Sequence, residues 1–403
     1  MPDRTTTFFE LISEHLIEIG AGRPRTVNMN GHDLPILRVA DVLDGRVEYT
    51  LQNHTPNKDV QGEGSKVSRP GDIVLTTKGT VGRVALMPPD GPTFAYSPQL
   101  CFFRPSASGP LRSRFLYYWF KSAEFWIQAN ALKGQTDMAD FLSLGDLQRM
   151  QIGIPSLDRQ DAVVGVLGAL DDKIAVNDRI AACALALADA HFIVTVEGLT
   201  PGPETFGSVA QVSGGGTPST KVPEYWDGSI AWTTPSDVTS LKAPYLFDTS
   251  RKIADAGLDN CASALYPAGS IFMTSRATIG AFAIPQVPAA VNQGFIVVST
   301  PDKELTMWLF HEMRDRVDEM RSLANGSTFL ELSRKNFKVM GVRLPAPDVI
   351  STFAEKAIPL HQKAAAASAE NSTLIELRDT LLPELMSGRL RVKDAEKVVE
   401  NAV

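Results

Sequence analysis

Two long segments of the chain repeat apolar residues at alternating spacings of four and three, which is the pattern of helices that pair along a seam. The first segment, 158–192, contains no proline and carries the seam positions Val163, Leu167, Leu170, Ile174, Asn177, Ala181, Ala184 and Ala188. The second follows Pro345 and carries Ile350, Phe353, Ala357, Leu360, Ala364, Ala367, Asn371, Leu374, Arg378, Leu381 and Leu385. The pattern predicts two long helices of a coiled coil.

Each seam contains one asparagine, and the two are Asn177 and Asn371. A single polar residue in an apolar seam fixes the register of two helices at some cost in stability, so these residues are predicted to set the register here. Pro359 is expected to kink or split the second helix, because proline lacks a backbone N–H. The alternative is that both segments are ordinary surface helices.

The rest of the chain predicts compact domains of short elements. The apolar, β-branched runs Ile73–Thr76 and Ile271–Thr274 follow a glycine closely and favour strands. The segments Phe115–Phe120 and Met307–Met313 place apolar residues at helical spacing. We therefore expect β-rich domains with short helices, each followed by one of the long helices.

The sequence contains an internal repeat. The segment 70–88 matches 268–286 at an offset of 198, which pairs Lys78 with Arg276 and Gly82 with Gly280. Further matches, between Pro24 and Pro218 and between the two seam asparagines, have an offset of 194. The offset drifts slowly along the chain, as small loop insertions would produce. The sequence thus predicts an internal two-fold duplication.

Composition narrows the class of protein. The 403 residues are 44% hydrophobic and 21% charged, which is typical of globular domains, and no run of 18 apolar residues suggests a membrane span. The N-terminal segment 1–16 carries acids inside its apolar stretch, unlike a signal peptide. Three dispersed cysteines favour the reducing cytoplasm. The acid excess lies in 151–200 and 346–403, so the two large blocks are close to neutral.

Catalytic and metal-binding signatures are not found in the sequence. There is no phosphate-binding loop, and Gly214–Gly216 is followed by Thr-Pro where a dinucleotide-binding helix would begin. The six histidines are scattered and predict no metal site. Asp171, Asp172 and Lys173 lie on a predicted helix without the partner acids of a nuclease, which favours a solvated helix face. We expect no enzyme that acts alone.

Four motifs together resemble the specificity subunit of type I restriction–modification systems. They are GGGTPSTKVPEYW (214–226), IAWTTPSDV (230–238), LDDKIAVNDRI (170–180) and LRDTLLPELMSGRLRV (377–392). The resemblance spans nearly the whole chain. The first copy departs from it, because GAGRPRT (20–26) is not followed by a Tyr-Trp pair.

The resemblance implies an α+β fold with two tandem target-recognition domains, separated by two long antiparallel coiled-coil helices and related by a pseudo-two-fold duplication. The expected boundaries are 1–156 for the first domain, 157–200 for the central helix, 201–346 for the second domain, and 347–403 for the C-terminal helix and tail.

The resemblance also implies a non-catalytic, cytoplasmic subunit that reads a bipartite site on double-stranded DNA. Two modification (methyltransferase) subunits and the restriction (motor-nuclease) subunits would be its partners, with no membrane involved. S-adenosylmethionine, ATP and Mg²⁺ would be used by those partners, and this chain would bind no cofactor or metal.

The duplication separates two kinds of DNA contact. Residues shared by both copies cannot encode two different half-sites, so Lys78, Thr80, Arg276 and Thr278 are expected to contact phosphates or to form scaffold, with base contact open for the two cations. Base contacts are expected where the copies diverge. In the first domain these candidates are Asn53, His54, Lys58, Gln61 and Lys66, and in the second they are Ser236, Lys242, Arg251 and Lys252.

Two other classes of function stay open at this point. One is a structural adaptor that binds protein and not DNA, which a DNA-binding assay with and without partners would distinguish. The other is a divergent stand-alone DNA methyltransferase, for which methyl transfer by the isolated chain would be the sign.

Overall fold

The computed structural model describes residues 4–22, 34–48, 54–55, 66–132, 134–135, 140–325 and 330–402. The chain forms two compact units. The first combines Met1–Asp172 with Leu374–Val403, and the second is Lys173–Thr373. Each unit therefore contains one domain of short elements together with parts of two long helices.

The first domain is the part of the first unit that precedes the long helix. Its strands are β1 (Arg4–Thr7), β2 (Ile17–Ala21), β3 (Leu34–Leu37), β4 (Val42–Leu43), β5 (Arg46–Val47), β6 (His54–Thr55), β7 (Ile73–Thr76), β8 (Val84–Leu86), β9 (Ala95–Tyr96), β10 (Leu100–Pro105), β11 (Gly134–Gln135), β12 (Asp140–Phe141) and β13 (Gln151–Ile154). Its helices are α1 (Phe8–Ser13), α2 (Ser113–Phe120), α3 (Ala123–Leu132) and α4 (Leu144–Arg149), with a 3₁₀ turn at Val39–Asp41.

The second domain lies between the long helices α5 (Leu157–Val196) and α12 (Pro347–Ser387). Its strands are β14 (Gln211–Ser213), β15 (Trp226–Thr233), β16 (Tyr245–Leu246), β17 (Arg251–Ile253), β18 (Ile271–Thr274), β19 (Phe282–Pro285), β20 (Ala289–Val291) and β21 (Phe295–Ser299). Its helices are α6 (Phe206–Val209), α7 (Pro235–Thr239), α8 (Asp255–Asp259), α9 (Lys303–Asp315), α10 (Val317–Ser322) and α11 (Arg334–Lys338), with a 3₁₀ turn at Pro223–Tyr225. Helix α13 (Val392–Ala402) follows α12.

The sheets of the two domains have the same topology. The main sheet has the strand order β2-β10-β7-β8 in the first domain and β14-β21-β18-β19, extended by β16, in the second. Each domain also has a smaller, three-stranded sheet, with the order β6-β3-β9 in the first domain and β17-β15-β20 in the second. The β3–β9 pair and the equivalent β15–β20 pair are both parallel. This identity of order and direction confirms the internal duplication as a structural repeat.

Strand register locates the repeat more accurately than the letters do. Ile73 and Ile271 lie opposite Phe103 and Val298 respectively, so those pairs are equivalent. In the neighbouring strands β2 and β14, Ile19 lies opposite Phe103 and Val212 lies opposite Val298, so Ile19 is equivalent to Val212. Gly22 is then equivalent to Gly215, at an offset of 193 residues. The match of Pro24 to Pro218 in the sequence implies an offset of 194. The difference is one residue, because a short strand without a distinctive side chain does not fix its own alignment.

Aromatic side chains form the core of the first domain. The runs IVLT and LCFF of β7 and β10 are buried on both faces, because Phe103 packs against Phe120 of helix α2 on one face and Phe102 packs against Tyr96 of the smaller sheet on the other. Phe8, Phe103, Phe120 and Trp119 meet edge to face or stacked, with ring centroids 4.6–6.4 Å apart. Burial of such large rings supplies most of the hydrophobic stabilisation of a domain of this size.

The two long helices follow the predicted seams. Every seam position of the first segment is buried, and so are those of the second except for the partly buried Leu360 and Arg378. In the first unit, Arg378 of α12 pairs with Asp171 of α5 at 2.9 Å, and in the second unit Asn177 contacts Glu370. Rising numbers on one helix meet falling numbers on the other, so the helices are antiparallel. The predicted fold class, two domains with two long antiparallel helices, is confirmed.

Pro359 does not split the second helix, which runs without interruption from Pro347 to Ser387. That expectation was wrong. Proline removes one backbone donor, but Pro359 itself is exposed while Ala357 and His361 on either side are buried. Their packing holds both halves in helical conformation despite the missing hydrogen bond.

Helix α5 is, by length and composition alone, apolar enough to cross a membrane, with a mean hydropathy of 1.6 over an 18-residue window of which 33% is buried in the protein. It contains no unbroken run of 18 apolar residues. The core helix of a soluble protein has the same length and composition.

Candidate nucleic-acid interface

The same loop follows the buried strands β7 and β18. The Thr76 hydroxyl donates to the carbonyl of Thr80 and accepts the backbone N–H of Arg83 at 2.9 Å. In the second domain the Thr274 hydroxyl donates to the carbonyl of Thr278, and the N–H of Ala281 donates to it at 3.0 Å. A buried threonine, Thr76 or Thr274, therefore holds each loop through hydrogen bonds of its hydroxyl group.

Lys78 and Arg276 occupy the same position of this loop, and both are exposed. Two residues beyond each, Thr80 and Thr278 contribute their carbonyls to the loop and leave their side chains exposed. These four predicted DNA-contacting residues thus lie on one exposed turn in each domain. The same hydrogen bonds hold the backbone of both turns, so the cation has the same position in each.

The residue after each cation has a left-handed backbone. Gly79 has a φ of 80° and Ala277 has a φ of 57°. Glycine adopts this conformation freely, whereas alanine pays about 1 kcal/mol or more for it. In the second domain the N–H of Ala277 donates to the carbonyl of Leu330 at 3.1 Å, which helps to hold the strained residue in place.

The two cations face different neighbours. Arg276 forms an ion pair with Glu331, with Nε and Oε1 2.8 Å apart, and the two residues also form a β-bridge. Lys78 forms the equivalent β-bridge with Phe141 and has no ion-pair partner among the residues that the structure describes. The same backbone pairing therefore sets an arginine opposite a glutamate in one domain and a lysine opposite a phenylalanine in the other.

A cleft opens next to the Arg276 loop. Its volume is about 360 Å³, and among its lining residues are Gly215, Arg276, Gln293, Glu331, Arg334 and Lys335. Arg334 and Lys335 form the exposed first turn of α11, which Ser333 caps by accepting the N–H of Asn336 at 3.1 Å. The cleft is a concave surface with three cations and one acid, which suits a polyanion.

Gly215 forms the back of this cleft, and no larger residue fits there. A Cβ on Gly215 would overlap the carbonyl oxygen of Val291, and one on Gly22 would overlap the carbonyl of Tyr96. The triple glycine thus allows two backbones to approach closely. Beside it, the Thr217 hydroxyl contacts Gln293 Oε1 at 2.6 Å, which leaves the amide nitrogen of Gln293 directed elsewhere.

Arg251 stacks on tryptophan. Its guanidinium carbon lies 3.6 Å from the ring centroid of Trp226 and 5.7 Å from that of Trp232. The Trp232 indole N–H donates to the carbonyl of Gly216 at 3.1 Å, so this stack rests on the glycine turn. Its neighbour Lys252 pairs with Asp248 at 3.2 Å. Both predicted base-contacting residues lie on strand β17 at the edge of the small sheet.

Ser236 and Lys242 have different surroundings. Ser236 is exposed in the first turn of α7, with its hydroxyl 3.0 Å from that of Thr234. Lys242 pairs with Asp178 of helix α5 at 2.5 Å. Its charge is therefore already neutralised by the helix on which the second domain packs.

The first domain's predicted base-contacting residues are described only in part. Asn53, Lys58 and Gln61 lie outside the described residues. His54 pairs opposite Pro35 in β6, the position that Lys252 occupies opposite Ala231 in the second domain. Lys66 is partly buried, and its carbonyl accepts the N–H of Tyr96 at 3.4 Å.

The two seam asparagines come together within the second unit. Asn177 Nδ2 donates to Glu370 at 2.8 Å, whereas Asn371 Nδ2 donates to the carbonyl of Ile174 at 3.2 Å and to Asp178 at 2.8 Å. Both are buried. Each asparagine thus binds the opposite helix near the other, as a register-setting pair would; the role itself stays a prediction.

Sequence reasoning missed the acid and the second set of cations in the cleft. Glu331, Arg334 and Lys335 follow a loop whose length differs between the domains, where the repeat offset has drifted to 190. The signal in the sequence was the dipeptide Leu-Ser, which occurs in both copies as Leu142-Ser143 and Leu332-Ser333. The N–H of Leu142 donates to the carbonyl of Thr77, and the N–H of Leu332 donates to the carbonyl of Ser275. Two common residue types in a row are too weak a match to align the copies by letters alone.

The chain matches twice the family model described as the type I restriction modification DNA specificity domain, over residues 25–182 and 204–355. It is 23% identical to the specificity subunit of the type I restriction enzyme HindI of Haemophilus influenzae over 455 aligned positions, which cover 93% of this chain and 98% of that protein. It is 34% identical to the MjaIX specificity subunit of Methanocaldococcus jannaschii over 142 residues, which span 35% of this chain and only 33% of that protein.

Its fold is similar to that of the type I restriction-modification system S subunit from M. genitalium, with a TM-score of 0.55, 16% sequence identity and 95% of both chains covered. The two copies of the family model coincide with the two structural repeats and cover most of the chain. The chain therefore belongs to the family of type I restriction–modification DNA specificity proteins, which recognise DNA sequences and leave catalysis to other subunits.

Proposed function

We propose that this chain reads a bipartite target in double-stranded DNA, with one half-site for each domain. One observation carries the proposal: the same loop frame in both domains exposes a cation, Lys78 or Arg276, beside a residue that differs, Phe141 or Glu331. A shared cation serves the phosphate backbone or a common base, whereas the differing neighbour distinguishes two sequences.

The predicted contacts fall into groups on this basis. Lys78, Thr80, Arg276 and Thr278 are on the loops, and Arg251 and Lys252 on an edge strand, so all are available to DNA, as is the exposed Ser236. Lys242 and Lys252 are the weaker candidates, since binding DNA would cost their pairs with Asp178 and Asp248. For Asn53, His54, Lys58, Gln61 and Lys66 the proposal rests on the sequence alone.

The proposal extends to partners. Two modification (methyltransferase) subunits would bind the long helices, and restriction (motor-nuclease) subunits would complete a cytoplasmic complex. S-adenosylmethionine, ATP and Mg²⁺ would serve those subunits. The proposed boundaries remain 1–156, 157–200, 201–346 and 347–403, and the helix at Leu157–Val196 supports the second of these ranges.

Near-neutral domains do not contradict DNA binding. The affinity of a protein for DNA depends on how many phosphates its cations neutralise, and here the cations Arg276, Arg334 and Lys335 are gathered at one cleft. A structural adaptor without DNA contact would have no use for such a cleft, and a methyltransferase would need a cofactor site, for which the family offers a separate subunit.

The test is selection from a library of random duplex DNA by the full-length chain, with and without a co-expressed modification subunit, followed by sequencing. The expected result is enrichment of two short conserved blocks with a non-conserved spacer of fixed length. Enrichment of no sequence in either form would refute the proposal and favour the adaptor, while methyl transfer by the isolated chain would favour the methyltransferase.

A further inference from the structure

The Arg276–Glu331 pair is one of several exposed ion pairs of the second domain, and it is the one that lines the cleft. The side chains are 46% and 43% exposed, although Nε and Oε1 lie 2.8 Å apart. An exposed ion pair contributes little to stability. Its placement on the loop beside the cleft therefore calls for another use.

Each partner of the pair keeps its outward-facing groups available. The closest contact within the pair joins Arg276 Nε to Glu331 Oε1. Among the residues that the structure describes, no third side chain forms an ion pair with either partner. Side by side, the pair offers a fork of N–H donors next to a carboxylate acceptor.

This arrangement matches the major-groove edge of a G·C base pair. Guanine presents two neighbouring acceptors, N7 and O6, which an arginine fork binds in bidentate fashion, and cytosine presents the N4 amino donor, which a carboxylate accepts. An A·T pair separates its acceptors by the adenine amino group and adds the thymine methyl group, so it satisfies neither partner fully. The pair also holds the arginine in position before DNA arrives.

The first domain lacks this arrangement at the equivalent position. Phe141 stands where Glu331 does, and an aromatic ring accepts nothing from cytosine but packs against a thymine methyl group. Likewise Leu144 and Gly145 replace Arg334 and Lys335 at the start of the equivalent helix. The two domains thus differ at one point in the chemistry that distinguishes bases.

We propose that Arg276 and Glu331 together read one G·C base pair in the half-site of the second domain, with Arg276 on guanine and Glu331 on cytosine. This inference rests on the proposed function. It adds to it a specificity residue, Glu331, and the identity of one base pair.

The experiment is the duplex library selection, run with the full-length wild-type chain and with the variants Glu331→Gln and Arg276→Gln. In the wild type, one position of one half-site should require G·C. Each variant should relax that single position, by about 10- to 100-fold in relative affinity for A·T, and leave the other half-site unchanged. Phe141→Gln should change only the other half-site, which assigns the halves to the domains.

Asp318→Asn serves as the matched control, because it breaks another ion pair of the same domain, that with Arg321, on a 97% exposed aspartate. It should select the wild-type sequence. Two results would overturn the inference and leave the proposed function standing. In one, neither variant alters any position of the wild-type target. In the other, the changes are confined to the half-site that Phe141→Gln alters. A wild type that selects no sequence would overturn both.

Discussion

The imidazole rings of His311 and His361 face each other with their Nε2 atoms 2.9 Å apart in the interior of the second unit. Only one proton fits between two nitrogens at this distance. Asp189 lies 2.8 Å from His311 Nδ1, and the Tyr245 hydroxyl lies 3.0 Å from His361 Nδ1. The carboxylate accepts only, so His311 donates to Asp189 and accepts from His361, which accepts from Tyr245.

This chain of hydrogen bonds crosses four elements of the second unit. Tyr245 belongs to β16 and His311 to α9, whereas Asp189 and His361 belong to the long helices α5 and α12. Burial disfavours the charged form of both rings, so the pKa of each histidine is lowered and the network is made of neutral imidazoles at pH 7. The network therefore fixes the second domain on its own stretch of the helices in a way that depends on protonation.

The stability of the second unit should fall between pH 7 and pH 5. Burial, together with the charges of His311 and Arg314, lowers the pKa of His361 to about 3, and burial lowers the pKa of His311. Unfolding restores a pKa of about 6.5, so the unfolded chain binds more protons as the pH falls below that value. Each histidine that stays neutral in the folded state costs about 2 kcal/mol of stability at pH 5 relative to pH 7.

Urea unfolding at pH 8, 7 and 5 measures this effect. Stability should be the same at pH 8 and 7, since both states then carry neutral histidines. In His361→Gln the loss at pH 5 should be smaller by about 2 kcal/mol. A variant that loses as much stability on acidification as the wild type would show that other groups, such as surface carboxylates, cause the loss.

Asn371→Asp should destabilise the paired helices. The new carboxylate would face Asp178, which now accepts a hydrogen bond at 2.8 Å, and the carbonyl of Ile174. A buried charge without a donor costs about 3 kcal/mol or more. Ser372→Asp adds the same charge at the next, exposed position, and should change the free energy of unfolding by less than about 0.5 kcal/mol. Equal effects of the two substitutions would argue against a buried register contact.

Gly215→Ala should unfold the second domain locally or greatly weaken DNA binding, because the methyl group would overlap the Val291 carbonyl. The expected loss is about 3 kcal/mol or more of stability. Gly165→Ala is the control: this helical glycine has open space around its Cβ position, and alanine should stabilise the helix by up to about 1 kcal/mol. Thermal unfolding of both variants, followed by circular dichroism, makes the comparison.

Arg334→Ala and Lys335→Ala should weaken binding equally on every DNA sequence. Both side chains line the cleft and are exposed, without an ion pair among the described residues, so they suit phosphates. The slope of log affinity against log salt should fall by about one for each phosphate that the variant no longer neutralises. Lys303→Ala, which removes an exposed cation from α9, should leave the slope unchanged. Loss of binding on one sequence alone would instead assign these residues to base contact.

The long helices were predictable from the sequence because their pattern is local. A seam residue such as Leu167 is recognised from neighbours three and four positions away. The duplication then supported the assignment of Asn177 to the seam, because Asn371 has the same place in the second copy. The strands β7 and β18 were predictable for the same reason. Pro359 was misjudged, since a rule about single hydrogen bonds ignores the packing on either side.

The candidate site was predictable only where the two copies align. Arg276 was found through Lys78, but Glu331 lies 55 residues further along the chain, and no spacing links it to Arg276. The histidine network was missed for the same reason, because His311 and His361 are brought together by helices that meet only in the fold. Lys242 was predicted to contact bases because it lies where the two copies diverge, and its pair with Asp178 is likewise invisible in the sequence.

The loop below Arg276 is held by Thr274 and by backbone groups, and none of these bonds involves the side chains of Arg276 or Glu331. The two side chains to which we assign base recognition can therefore be replaced without removing the hydrogen bonds that hold the loop. On the proposed function, substitution at these two positions would change the DNA target while the loop keeps its support. Such a loop would separate evolvability from stability, and the same separation makes it a place to engineer new DNA targets.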